Sequence, residues 1–150
     1  MTLQGRWYLF TAAIVLTGTF VGVFSLSNYS PSYVLTKTRS LASCTPTEGT
    51  IAIVADDHGY NDSISHGAPA NPWPVVSVKS GDLVNLTFCN LDAVEAHGFA
   101  IDTYFDRGVI LSPGTAYQVS FIAVQPGTFR IFCTNFCTVH KYMSGKLIVS

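Results

Sequence analysis

At 150 residues the chain has room for one domain of ordinary size and one further segment. Hydrophobic residues make up 48% and charged residues only 11%, an imbalance that argues against a freely soluble chain throughout. All nine acidic residues lie between Glu48 and Asp106, and no basic stripe occurs anywhere, which argues against a nucleic-acid partner.

From Trp7 to Leu26 (WYLFTAAIVLTGTFVGVFSL) twenty residues carry no charge. As a helix this run would be about 30 Å long, the thickness of a bilayer's hydrocarbon core. A cleaved signal peptide would have a shorter apolar region and a small-residue cleavage site, and the following SNYSPSYV offers none. The expected organisation is a tail at 1–6, an uncleaved transmembrane anchor at 7–26, a Ser/Thr/Pro-rich tether at 27–49 and a domain at 50–150. Arg6 on one side of the anchor and Lys37 and Arg39 on the other leave its orientation undecided by charge. A cysteine-bearing β domain behind a single span is expected at the cell membrane on the extracytoplasmic side.

From Thr50 onward short β-branched and aromatic runs alternate with turn signals. Strands are predicted near Thr50–Ala55, Val75–Lys79, Leu83–Cys89, Gly98–Asp102, Ala116–Ala123, Thr128–Cys133 and Lys146–Val149. Turns fall at Ser80-Gly81-Asp82, Pro113-Gly114 and Pro126-Gly127. Alternation puts Val84, Leu86 and Phe88 on one strand face, and likewise Tyr117, Val119 and Phe121. No helix is predicted outside the anchor, so the fold class is all-β, a small sandwich or Greek-key barrel. Residues 56–74 form a long loop in which His58 and His66, near Asp56, Asp57 and Asp62, read as solvated; a second metal site there is the lesser alternative. Cys44 in the tether and Cys89 on the face opposite Phe88 could form a disulfide, but spacing alone does not fix connectivity.

The chemistry is concentrated near the C-terminus, in Cys133-Thr-Asn-Phe-Cys137-Thr-Val-His140-Lys-Tyr-Met143. With His97 from upstream, five side chains there can bind a soft or borderline metal. Thiolate, imidazole and thioether together select copper over magnesium, calcium or manganese. Cys133 ends a predicted strand, the loop holds the other three, and a strand resumes at Gly145. A loop strung between packed strands can hold its ligands between the geometries that the two copper oxidation states prefer, so that an electron comes and goes with little rearrangement. A Cys133–Cys137 disulfide and a zinc site are the competing readings of the same residues. No hydrolase, phosphate-loop or nucleotide motif is present.

These residues resemble the cupredoxin family, and within it the binuclear copper (CuA) domain of haem-copper (cytochrome c) oxidase subunit II and of nitrous oxide reductase. That pattern is a histidine, a long interval, then Cys-x3-Cys-x3-His-x2-Met; His97-Gly98-Phe99 matches the first histidine, and Asn90-Leu91-Asp92 looks like the nitrous oxide reductase version. The resemblance implies that Cys133 and Cys137 bridge two coppers and that His97 and His140 each cap one. It makes Met143 a weak axial ligand, faced from the other side by the backbone carbonyl of Asn135. One departure stands: two residues, not three, separate Cys137 from His140. Cys-x2-His-x2-Met alone is similar to the ligand loop of a mononuclear blue copper protein such as amicyanin, in which His97, Cys137, His140 and Met143 would hold one type 1 copper and Cys133 would be spare. The strand-end position that a blue-copper cysteine occupies belongs to Cys133, which favours the binuclear reading.

The function implied is that of subunit II of a respiratory haem-copper oxidase with a single anchor. It would take electrons from a cytochrome c or a soluble cupredoxin and pass them to haem in subunit I. Oxygen reduction would belong to the complex and not to this chain alone. Tyr60 and Trp73 are candidates for an aromatic surface that receives electrons, and Asn135 stands where oxidase subunits with a Mg²⁺ site often carry Glu. The alternatives are a stand-alone, membrane-tethered cupredoxin with a mononuclear site, or a copper delivery protein.

Overall fold

The computed structural model describes residues 35–40, 44 and 49–150. The expected anchor at 7–26 lies outside them; among the described residues no helix is long and apolar enough to cross a membrane. Among the described residues ten strands form two five-stranded sheets around one core. In chain order they are β1 (Leu35–Ser40), β2 (Ile51–Asp56), β3 (Gly59–Tyr60), β4 (Val75–Val78), β5 (Leu83–Asn90), β6 (His97–Ile101), β7 (Phe105–Leu111), β8 (Thr115–Ile122), β9 (Gly127–Phe132) and β10 (Ser144–Val149). One sheet runs β1-β8-β5-β2-β3 and the other β4-β10-β9-β6-β7. Pairing is antiparallel except for β2 with β5 and β4 with β10.

The alternation read from the sequence is what fills the space between the sheets. Val84, Leu86 and Phe88 of β5 and Val119 and Phe121 of β8 meet Phe99 and Ile101 of β6, Ile131 of β9 and Leu147 of β10. Phe88 and Phe99 stack across the core with centroids 4.6 Å apart, an offset geometry that adds to the area they remove from water.

All seven predicted strands are present within two residues of the expected bounds. Three more were not foreseen. The expected tether at 27–49 contains β1, which pairs with β8 from Leu35 opposite Ser120 to Ser40 opposite Thr115. Its sequence LTKTRS has no apolar alternation, because an edge strand needs only backbone pairing. After its first residue β7 carries Asp106-Arg107-Gly108, residues of turn-forming type; the edge position and a register shift opposite β6 accommodate them. Cys44 and Cys89 are joined in a disulfide that ties the segment following β1 to β5.

Two features place the ligand loop. β9 and β10 pair directly on either side of it, Phe132 opposite Ser144, so residues 133–143 are a closed excursion from one hairpin, ending in a 3-10 turn at His140–Tyr142. The long 56–74 segment folds beneath this turn: Ser63 Oγ donates to the Tyr142 carbonyl, and the Trp73 amide donates to Ser144 O at 2.8 Å.

Candidate metal centre

All six residues expected at the site converge at one end of the sandwich. Cys133 and Cys137 are free thiols with Sγ atoms 3.9 Å apart, which sets aside a disulfide between them. Met143 Sδ lies 3.8 Å from Cys137 Sγ. Donor atoms of Cys133, Cys137 and His140 lie within 4.8 Å of one another, and so do those of Glu95, His97 and Cys137. The two clusters share Cys137 and lie side by side. The Asn135 carbonyl is 2.9 Å from His140 Nδ1 and 3.0 Å from Cys133 Sγ, so it too faces the centre. Met143, His97 and both cysteines are buried, whereas His140 is exposed.

The surroundings of His97 show what its ring is prepared for. Asp92 Oδ1 accepts the amides of Val94 at 2.7 Å and Glu95 at 2.9 Å, which fixes the carboxylate. Its Oδ2 lies 3.0 Å from His97 Nε2. Burial opposes ionisation of Asp92, but these amides and the His97 ring outweigh it and hold its carboxyl below the usual range. An ionised carboxylate only accepts, so the ring donates to it through Nε2, and in the neutral imidazole that leaves the lone pair on Nδ1. That Nδ1 is fully buried and has no hydrogen-bond partner among the described residues. A buried orphan of this kind ordinarily costs about 1–3 kcal/mol. A lone pair turned free while a carboxylate holds the opposite nitrogen is the arrangement of a metal-ligating histidine.

The Cys133 thiol is seated by the β6 backbone. Gly98 donates its amide to Cys133 Sγ at 3.2 Å, and its carbonyl accepts the Tyr60 hydroxyl. A Cβ at position 98 would stand 2.7 Å from the Asn135 amide nitrogen and closer still to Thr134, so only glycine lets the ligand loop lie against this strand. Tyr60, stacked on Phe99 at 5.1 Å, is held un-ionised by burial first and then by the two thiols.

Burial raises the Cys137 thiol from its ordinary 9.0 to about 12, with the neighbouring Cys133 and Glu95 acting in the same direction. This predicts a pH dependence for the metal-free protein. Below about 9 the thiol is protonated in both folded and unfolded chains and contributes no slope; between about 9 and about 12 only the unfolded chain ionises, so stability falls as pH rises. Denaturation midpoints followed against pH, wild type minus Cys137→Ser, should be level near neutrality and decline above about pH 9. A flat difference across that window would remove the inferred burial of the thiol.

No known family profile matches the chain. Among curated proteins it is 42% identical over 85 residues to a nitrous-oxide reductase of Ralstonia nicotianae, covering 55% of this chain and 13% of that protein. It is 30% identical over 102 residues to one of Stutzerimonas stutzeri, covering 65% and 16%. The chain thus spans well under a fifth of the length of these relatives. Among solved structures it superposes on a chain of a haem-copper terminal oxidase dimer with a TM-score of 0.55 and 17% identity, covering 97% of this chain and 99% of the other. It superposes on auracyanin from the photosynthetic bacterium Roseiflexus castenholzii with a TM-score of 0.51 and 18% identity, covering 71% and 99%. The domain is cupredoxin-like. Together with the nitrous-oxide reductase relatives, this cupredoxin-like fold supports the CuA resemblance drawn from the ligand pattern. Copper is the cofactor that the fold, the relatives and this donor set support.

Other expectations are corrected. Tyr60 is fully buried beneath the ligand loop and offers no surface to a donor. Trp73 is half-buried, donating Nε1–H to Asn61 O at 3.1 Å and stacking on His66 at 3.9 Å, so this aromatic pair is part of the loop's own packing. His58 is exposed, in line with its solvated reading, and lies 2.6 Å from Asp57, with donor atoms of Asp56, Asp57 and His58 within 4.8 Å of one another. The exposed aromatic at this end is instead Phe136, 95% accessible and 6.1 Å from the His140 ring. Asp92, Glu95 and Gly98 were not singled out as site residues by sequence. Their nearness to His97 was the available signal.

Proposed function

We propose that the chain carries single electrons through a binuclear CuA-type copper centre, as subunit II of a respiratory haem-copper oxidase. His97, Cys133, Cys137, His140, Met143 and the Asn135 carbonyl would hold the metal. The observation that carries this reading is the pair of three-donor clusters that share Cys137, with Cys133 beside it and turned to the same point. Two sulfurs 3.9 Å apart can both reach an ion at a metal–thiolate length of about 2.3 Å, and His97 and His140 each lie in a donor cluster with Cys137. Bound copper supplies the redox chemistry; the protein supplies position and tuning. Asp92 keeps the His97 ring oriented, Gly98 donates a hydrogen bond to one thiolate, and the closed hairpin excursion resists rearrangement as charge changes.

The partners proposed are a haem-bearing subunit I as acceptor and a cytochrome c or soluble cupredoxin as donor. The 7–26 run would anchor the chain in the cell membrane, with the copper domain on the extracytoplasmic side. The short Cys137–His140 spacing favours a second reading, a tethered cupredoxin with one type 1 copper on Cys137. Two measurements separate them. Electron paramagnetic resonance of the copper-loaded chain should show one electron shared by two copper nuclei, with more hyperfine lines than a single nucleus gives. Purification from native membranes should bring a haem-bearing polytopic subunit with it. A single-nucleus signal would overturn the binuclear centre, and recovery of the chain alone would overturn the oxidase assignment. Met143→Leu should shift the potential while retaining the metal, because a thioether would bind copper more weakly than the thiolates and imidazoles.

A further inference from the structure

We propose that the Glu95 side chain is an additional copper ligand, on the His97 side of the centre; the inference rests on the copper reading above. A carboxylate oxygen of Glu95, a ring nitrogen of His97 and Cys137 Sγ lie within 4.8 Å of one another, the same closeness as in the Cys133, Cys137 and His140 cluster. The second observation is the fully buried His97 Nδ1, which no group among the described residues satisfies.

The carboxylate is held in place from both ends. Its backbone is fixed by Asp92, which accepts the Glu95 amide. Its Oε2 accepts both the amide of Thr138 at 3.1 Å and the Thr138 hydroxyl at 2.8 Å. Thr138 lies inside the shortened stretch between Cys137 and His140, so the loop's departure from the usual spacing and the position of this carboxylate are coupled. With Oε2 occupied, Oε1 remains as a donor.

Charge points the same way. Among the described residues no Lys, Arg or His lies within ion-pairing distance of Glu95, although it is half-buried beside the Cys137 thiol. Metal binding would replace the Cys137 thiol proton and set a thiolate beside this carboxylate, and the charge of a bound ion offsets the repulsion between the two. A hard oxygen on one copper only would make the two ions unequal and would favour the oxidised state on the His97 side.

The test uses the full chain, loaded with copper and titrated against a competing chelator, with copper per chain, hyperfine pattern and potential as readouts. Glu95→Gln keeps an oxygen for Thr138 but loses the charge; Glu95→Asp keeps the charge but withdraws it by one methylene. Both should weaken retention of one copper by at least about tenfold, a loss seen even when groups outside the ligand shell are changed. Glu95→Gln should also raise the potential and make the hyperfine pattern more even. Thr138→Val, which removes one bond to the carboxylate and leaves the carboxylate itself, should cost clearly less. Wild-type retention and spectrum in Glu95→Gln would overturn the inference alone, and so would equal losses in Glu95→Gln and Thr138→Val, since a clamp would then explain both. A wild-type chain that takes up no copper would overturn the copper reading and this inference together.

Discussion

Cys133→Ser and Cys137→Ser are each expected to abolish the intense thiolate-to-copper absorption of the loaded chain and to leave at most one weakly held copper. The two sulfurs lie 3.9 Å apart, both buried, His140 clusters with both, and His97 clusters with Cys137. If both bridge, each copper depends on each sulfur, and one serine disrupts both ions. A serine hydroxyl does not replace a thiolate, because it is hard and stays protonated at neutral pH. The fold should survive: serine is slightly smaller than cysteine, and at position 133 it can still accept the Gly98 amide. The stability change should therefore stay within about 1–3 kcal/mol, the cost of a weakened buried hydrogen bond. Melting of the metal-free variants checks that point, so that loss of colour is not confused with loss of structure. The decisive result is Cys133→Ser. A normal blue, single-copper spectrum there would show that Cys133 is spare and that the centre is mononuclear.

The ligand loop was legible because its chemistry is contiguous. Four of its donors fall within eleven residues between two strands whose ends the turn and β-branched signals mark, and hairpin pairing of Phe132 with Ser144 then forces them together. His97 is distant in sequence, and its residue type made it a candidate while no spacing placed it; in the structure the pairing of β6 with β9 does so, Ala100 opposite Phe132. What stayed hidden depended on tertiary position. Tyr60 sits on a polar loop and reads as exposed, yet that loop folds under the 3-10 turn and buries the ring against Phe99. β1 carries Lys37 and Arg39 in a polar run, and no periodicity announces a strand held by pairing alone. Glu95 reads as one more acid on an acidic stretch until Thr138, forty-three positions away, is seen to hold it.

Loss of the Cys44–Cys89 bridge should give the largest stability effect in the domain. Arg39 of β1 lies opposite Ala116 of β8, and Ala116 lies opposite Cys89 of β5, so the three strands are in one row. The chain leaving β1 returns from Cys44 to Cys89 and fastens the edge strand to its second neighbour. The bridge closes a 45-residue interval. By the chain-entropy estimate a loop of that length is worth about 4 kcal/mol, and removing a native bridge from a small domain typically costs about 2–5 kcal/mol. For a domain of this size that corresponds to a fall in Tm on the order of 10–20 °C. The measurement is thermal unfolding of Cys44→Ser, Cys89→Ser and the double variant. If the cross-link is what matters, Cys44→Ser alone should lose most of what the double variant loses, since Cys44 is only half-buried and contributes little packing of its own. Cys89→Ser should lose somewhat more, because its sulfur is fully buried. A Tm for Cys44→Ser within a few degrees of wild type would mean that β1 is held by its hydrogen bonds to β8 and that the bridge is dispensable.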